Sequence, residues 1–144
     1  MRDELDELRE AITSGDYSQA FAIIDELDEM SRSDKINKIH SYMGVLLLHL
    51  IKQAAEQRLT KSWRRSINFS LRRIARTNKR DKSGGYYLDA DGLAEELADA
   101  WTDAIEQAAI EAFEGVYEAD ELARMVSQET ILADALERIR EVQG

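Results

Sequence analysis

The chain has no proline and no cysteine in 144 residues, and only seven glycines. Without cysteine there can be no disulfides, no thiolate metal sites and no thiol redox chemistry. Without proline the chain lacks the residue that interrupts helices most effectively. With alanine, leucine, glutamate and arginine abundant, this predicts helix throughout. Long apolar runs are also scarce. The longest, Tyr42 to Ile51, is interrupted by Gly44 and His49 and is about half the ~20 residues a membrane-spanning helix needs. It reads as a buried core helix, and a membrane is not expected as a partner. The N-terminal MRDELDELREAI is acidic and amphipathic, unlike a signal or transit peptide. A cytoplasmic, all-α protein is expected: a single-domain bundle spanning residues 1–144, of about five to seven helices, burying roughly two thirds of its unfolded surface.

Several chemical signatures are missing as well. No Glu-x-x-His occurs, so the ligand pattern of a di-metal bundle is absent. No run of alternating oxygen ligands around a glycine marks a calcium loop. Gly-x-Ser-x-Gly is absent, and Ser83-Gly84-Gly85 lacks the strand and lysine pattern of a phosphate-binding loop. His40 and His49 lie nine residues apart on one expected helix. At about 100° per residue they face opposite ways and cannot share an ion. His49, in the apolar run, reads as a hydrogen-bonded core histidine before a ligand or base. Asp25, Glu26, Asp28 and Glu29 form the densest carboxylate cluster, read as a solvated face or a counter-charge for Arg32. No catalytic residue, metal or cofactor is assigned, and folding without metal is expected.

What the chain does have is segregated charge. Residues 1–31 carry 2 basic and 10 acidic side chains, residues 32–82 carry 14 and 3, and residues 83–144 carry 3 and 16. A net charge of −10 argues against nucleic acid as a partner, yet this layout makes the field near one helix positive.

Periodicity places the helices. Leu5, Leu8 and Ile12 stripe the first, which stops at Ser14-Gly15-Asp16, where aspartate can cap the next. Tyr17, Phe21, Ile24 and Leu27 stripe a second. Ser33 or Asp34 is the expected cap of a third, carrying Ile36, Ile39, Met43, Leu46, Leu47, Leu50 and Ala54 inward, with Val45 and Leu48 on other faces. Thr60 or Ser62 caps a fourth, striped by Trp63, Ile67, Leu71 and Ile74. The Trp63 ring is expected to fill the space between the third and fourth helices. The glycine doublet marks a loop over 82–91. Asp89 or Asp91 begins a helix striped by Leu93, Leu97, Trp101, Ile105, Ala108 and Ala112, rich enough in alanine for close helix approach and self-association. C-terminal helices complete residues 92–144, with Leu122, Val126, Leu132, Ala135, Leu136 and Ile139 inward.

On the fourth helix, Lys61, Arg64, Arg65, Arg72, Arg76 and Lys79 fall within about a third of the circumference. Asn68 and Phe69 lie in or beside that sector. Such a face can track a phosphate backbone, with Asn68 bonding and Phe69 stacking. It can equally pair with acidic faces of the same chain, such as Glu95, Asp99, Asp103 and Glu106, or Asp3, Asp6, Glu7 and Glu10.

The segment from Ile24 to Arg80 carries Glu26, Met30, Arg32 and Ser33 in ELDEMSRS, then Leu46 to Leu50 with His49 and Lys52 in LLLHLIK. Arg58, Ser62, Trp63 and Arg64 follow, then Arg72, Arg73 and Ile74. In this order and spacing it resembles the family of domain of unknown function twenty-nine (DUF29). The resemblance, to a family found widely in cyanobacteria and also in proteobacteria, implies an all-helical fold and a bacterial source, with residues 24–80 as the family-like core. It implies no activity. The leading reading is a non-enzymatic module for self-association or for binding an unidentified protein, using the basic helix and acidic faces. A nucleic-acid-associated or antitoxin-like regulator is the alternative, and a small helical enzyme centred on Glu26 and His49 is a third.

Overall fold

A computed structural model describes residues 3–80 and 84–144, the Met30 side chain excepted. Lys82 and Ser83 of the expected loop, Met1 and Arg2 of the N-terminus, and the Met30 side chain lie outside the described residues. The fold is all-α. Its helices are α1 (Glu4–Ser14), α2 (Tyr17–Glu56), α3 (Lys61–Asn78), α4 (Ala90–Glu111), α5 (Ala119–Met125) and α6 (Gln128–Gln143), with a 3-10 turn at Ala112–Gly115. No strand occurs among the described residues, and Lys79 and Tyr86 form an isolated antiparallel bridge.

Side-chain caps define most helix starts. Asp3 accepts from the Asp6 N–H at 2.8 Å and Asp16 from the Gln19 N–H at 3.1 Å. Thr60 accepts from the Trp63 N–H at 3.0 Å and Asp89 from the Gly92 N–H at 2.8 Å. Each satisfies a donor that the first helical turn leaves unpaired. Gly15 closes α1 at φ 80°, a conformation that costs glycine little. The expected break at Ser33 or Asp34 is absent, because α2 is one helix of 40 residues. Neither glycine nor proline occurs between Gly15 and Gly44, and a capping residue without a breaker does not end a helix.

The chain divides into two compact units, Met1–Lys35 and Ile36–Gly144. In the first, α1 and the start of α2 bury Ala11, Ala20 and Ile23. The expected inward stripes are mostly open: Leu5, Ile12, Tyr17, Phe21 and Ile24 are exposed, and Leu8 and Leu27 are half-buried. The reason is sector width. On α2 the apolar positions from Ala20, Ile23 and Leu27 round to Tyr17, Phe21 and Ile24 span about 160° of the helix. The short α1 covers one side of it and leaves the aromatic side uncovered.

The second unit holds the larger core. Ile39, Met43, Leu46, Leu47, Leu50 and Ile51 of α2 are buried with Ile67, Leu71 and Ile74 of α3 and with Leu93, Leu97, Trp101 and Ile105 of α4. Helix α6, through Ile131, Ala135 and Ile139, packs on both α3 and α4. Each such large side chain contributes about 1.5–3 kcal/mol on burial. Ala100, Ala104, Ala108 and Ala109 face inward on α4, whereas Ala54 of α2 is exposed.

Asn78, the last residue of α3, is wholly buried. Its Oδ1 accepts from the Leu88 N–H at 2.8 Å, and its Nδ2 donates to the Leu88 carbonyl at 3.0 Å and to Gln143 Oε1 at 2.9 Å. One amide thus ties the end of α3 to the chain entering α4 and to the end of α6. Replacing it by alanine orphans both buried backbone groups of Leu88, and each unmade bond of this kind costs about 1–3 kcal/mol. Asn78→Ala should therefore lower unfolding free energy by about 2–4 kcal/mol in urea titration. An unchanged midpoint would show that water replaces the amide without loss.

Candidate interaction surface and the Trp63 cluster

Helix α3 is sorted by burial as well as by sequence. Ile67, Ser70, Leu71, Ile74 and Asn78 are buried, so Lys61, Arg64, Arg65, Asn68, Phe69, Arg72 and Arg76 turn outward and are exposed, as is Lys79 beyond the helix end. Lys61, Ser62, Arg64, Arg65, Asn68 and Arg72 line an open groove along this face. Phe69 is 46% exposed, and the Arg73 guanidinium lies 4.7 Å from its ring centroid.

Among the described residues of the second unit, the acidic face of α4 forms no ion pair with this strip. Among the described residues Arg9, Lys52, Arg58, Arg124 and Arg138 find carboxylates, and His40 meets Glu96. Lys61, Arg64, Arg65, Arg72, Arg76 and Lys79 form no ion pair there. The arrangement is locally unfavourable. Lys61 and Arg65, and Arg72 and Arg76, are like charges four residues apart, each pair costing about 0.2–0.5 kcal/mol. The first turn of α3 carries no acidic residue, so Lys61 and Arg64 also oppose the helix dipole.

A second cluster lies where α2 ends and α3 begins. Lys52 is only 6% exposed. Its Nζ donates to Glu111 Oε1 at 2.9 Å and stands 4.7 Å from the Trp63 ring centroid. The Arg58 guanidinium is 4.9 Å from the same centroid and donates through Nε to Glu56 Oε1 at 3.0 Å. The other Glu56 oxygen accepts from the Phe113 N–H at 3.4 Å. These residues line an open concavity of about 630 Å³ with Glu114. Trp63 does not fill the interior as expected. It is half-buried, because the chain between α2 and α3 carries Arg58 onto its ring while Lys52 occupies the inner approach. Gln57, Phe113 and Glu114, beside or within this cluster, have positive φ of 53°, 49° and 56°, a strained conformation for residues with side chains.

Burial works to raise the Glu111 pKa. The hydrogen bond from Gln107, the bond and charge of Lys52, and the charge of His49 outweigh it and hold the carboxyl below its ordinary 4.5. His49 itself is half-buried, with Nδ1 bonded to the Val45 carbonyl at 2.8 Å.

Of the family-like positions, the structure thus joins Lys52, Arg58 and Trp63, with His49 near enough to act on Glu111, and sets Arg73 on Phe69. Glu26 and Arg32 are exposed in the first unit, as are Asp25, Asp28 and Glu29. Sequence reasoning missed Glu56, Gln107, Glu111 and Phe113, whose partners are up to 59 residues away. One signal was available: a lysine continuing the apolar face of α2 needs a counter-charge.

The chain belongs to the family described as Domain of unknown function DUF29, whose model matches residues 7–134. No curated protein and no solved structure matches it.

A carboxyl held below its ordinary pKa stabilises the fold above the unfolded-state value, and that stability is lost as pH falls through the folded-state value. Wild type should therefore lose stability below about pH 4.5 as Glu111 protonates and Lys52 loses its counter-charge. Glu111→Gln should lower neutral-pH stability by about 1–3 kcal/mol, less than a fully enclosed pair because the carboxylate is partly exposed. It should also flatten part of the acid slope. Thermal melts from pH 3 to pH 7 check both, and an acid slope identical in the two proteins would assign the loss to other carboxylates.

Proposed function

We propose that this chain is a non-enzymatic protein-interaction module that self-associates, docking the cationic face of α3 onto an acidic surface of a second copy. The observation that carries this is the strip itself: six exposed cations on and just beyond one helix, none paired among the described residues. The chain supplies suitable partners in abundance. Glu95, Asp99, Asp103 and Glu106 of α4 are exposed, as are Glu7, Asp25 and Glu29 of the first unit. Each exposed ion pair contributes below about 1 kcal/mol, so the charges steer and select rather than hold.

Asn68 and Phe69 support a second reading, in which the strip grips nucleic acid by phosphate contact and stacking. Net charge of −10 weighs against it, because the rest of the surface repels a polyanion.

Replacing Arg64, Arg65, Arg72 and Arg76 by glutamine removes four charges and leaves the apolar stripe intact. Sedimentation velocity should show wild type associating at micromolar concentration and low salt, weakening as salt rises, with the quadruple variant monomeric and still helical. Wild type that stays near its 16.4 kDa monomer mass under these conditions would sink the proposal. Tight oligonucleotide binding that weakens steeply with salt and disappears in the variant would put nucleic acid in its place.

A further inference from the structure

We infer that the surface receiving the α3 strip of a second copy is the open apolar face of the α1–α2 hairpin in the first unit, with Phe69 as the strip's apolar anchor. This rests on the self-association reading and names its counter-surface. The acidic face of α4 offers charge with a single large exposed apolar residue, Ile110, and exposed ion pairs hold little individually. A lasting contact also needs apolar burial.

The hairpin offers both. Tyr17, Phe21 and Ile24 recur at four and three residues along α2 and are exposed, Tyr17 at 62% and Phe21 at 66%. At about 100° per residue they form one stripe, and Asp28 continues it one turn further with Asp25 beside it. Leu5 and Ile12 of α1 are exposed too. The α2 stripe is thus three large exposed apolar residues on one helix face, in a segment whose charge is strongly acidic. The α3 strip is its complement. Cations run along the helix, and Phe69 beside them is exposed with Arg73 against its ring. A like pairing of two hairpins would bring two acidic segments together, whereas hairpin on strip matches opposite charges and apolar groups at once.

Complementation between two variants tests this. The strip variant carries Arg64, Arg65, Arg72 and Arg76 as glutamine. The hairpin variant carries Phe21→Gln and Ile24→Gln, both exposed positions, with Phe21→Leu as the conservative control and circular dichroism confirming helix content. Sedimentation velocity should show association weakened at least tenfold in each variant alone and retained in Phe21→Leu. An equimolar mixture of strip and hairpin variants should form heterodimers, because the intact hairpin of one meets the intact strip of the other. If the strip variant dissociates but the hairpin variant associates like wild type, the self-association reading stands and this inference is overturned. A mixture that stays monomeric overturns it as well. Association unaffected by either variant overturns both.

Discussion

Burial of Ile67, Leu71 and Ile74 sets the rotation of α3 about its own axis, and the character of the surface depends on that rotation. With those three side chains in the core, the 100° step between residues leaves Lys61, Arg64, Arg65, Arg72 and Arg76 no direction but outward. The hydrophobic contribution of the stripe, about 1.5–3 kcal/mol per large residue, far exceeds the few tenths of a kcal/mol lost to each like-charge neighbour. The core therefore wins, and the chain accepts a strip of concentrated positive charge as a by-product of its packing.

Polar contacts add what apolar packing leaves free. An apolar stripe defines which way a helix faces but tolerates sliding along its axis, since neighbouring aliphatic side chains can exchange holes. Directional bonds do not. At one end of α3, Asn78 holds Leu88 by both backbone groups and Gln143 by its side chain. At the other, Trp63 lies against Lys52, which Glu111 anchors to α4. Neither contact is required for a core of this composition to collapse. Together they select one axial position of α3, and so one spacing of the strip relative to the rest of its unit.

Much of this was legible from local pattern. The α3 stripe, the caps at Thr60 and Asp89 and the inward face of α4 depend on residues within a few positions of one another, which is the range that periodicity and capping chemistry report. The grouping of the cations on one face followed from the same wheel, whereas their exposure and their lack of carboxylate partners among the described residues did not, because pairing is tertiary. The Lys52–Glu111 and Asn78–Gln143 contacts span 59 and 65 residues, and no spacing rule links such positions. The N-terminal reading failed for another reason. Period alone marks Tyr17, Phe21 and Ile24 as an inward stripe, but burial also needs an element to cover it, and α1 spans only 11 residues. The helix break expected near Ser33 failed because capping residues signal a start only when the chain before them stops.

The thin interior of the first unit follows from the same shortage of cover. Among its described residues the buried apolar side chains are Ala11, Ala20 and Ile23, two of them with almost no side-chain surface to remove from water. An isolated helix of fewer than about 12–15 residues is marginal in water, and so small a core adds little to α1. The second unit, by contrast, buries large aliphatic residues from several helices. A partner that covers Tyr17, Phe21 and Ile24 would therefore have its largest effect on the first unit, since anything that binds a folded element and not its unfolded form stabilises that element by mass action. The apolar surface that α1 leaves open is also the surface whose burial would best secure the hairpin, so any association that covers it would be linked to folding of this unit.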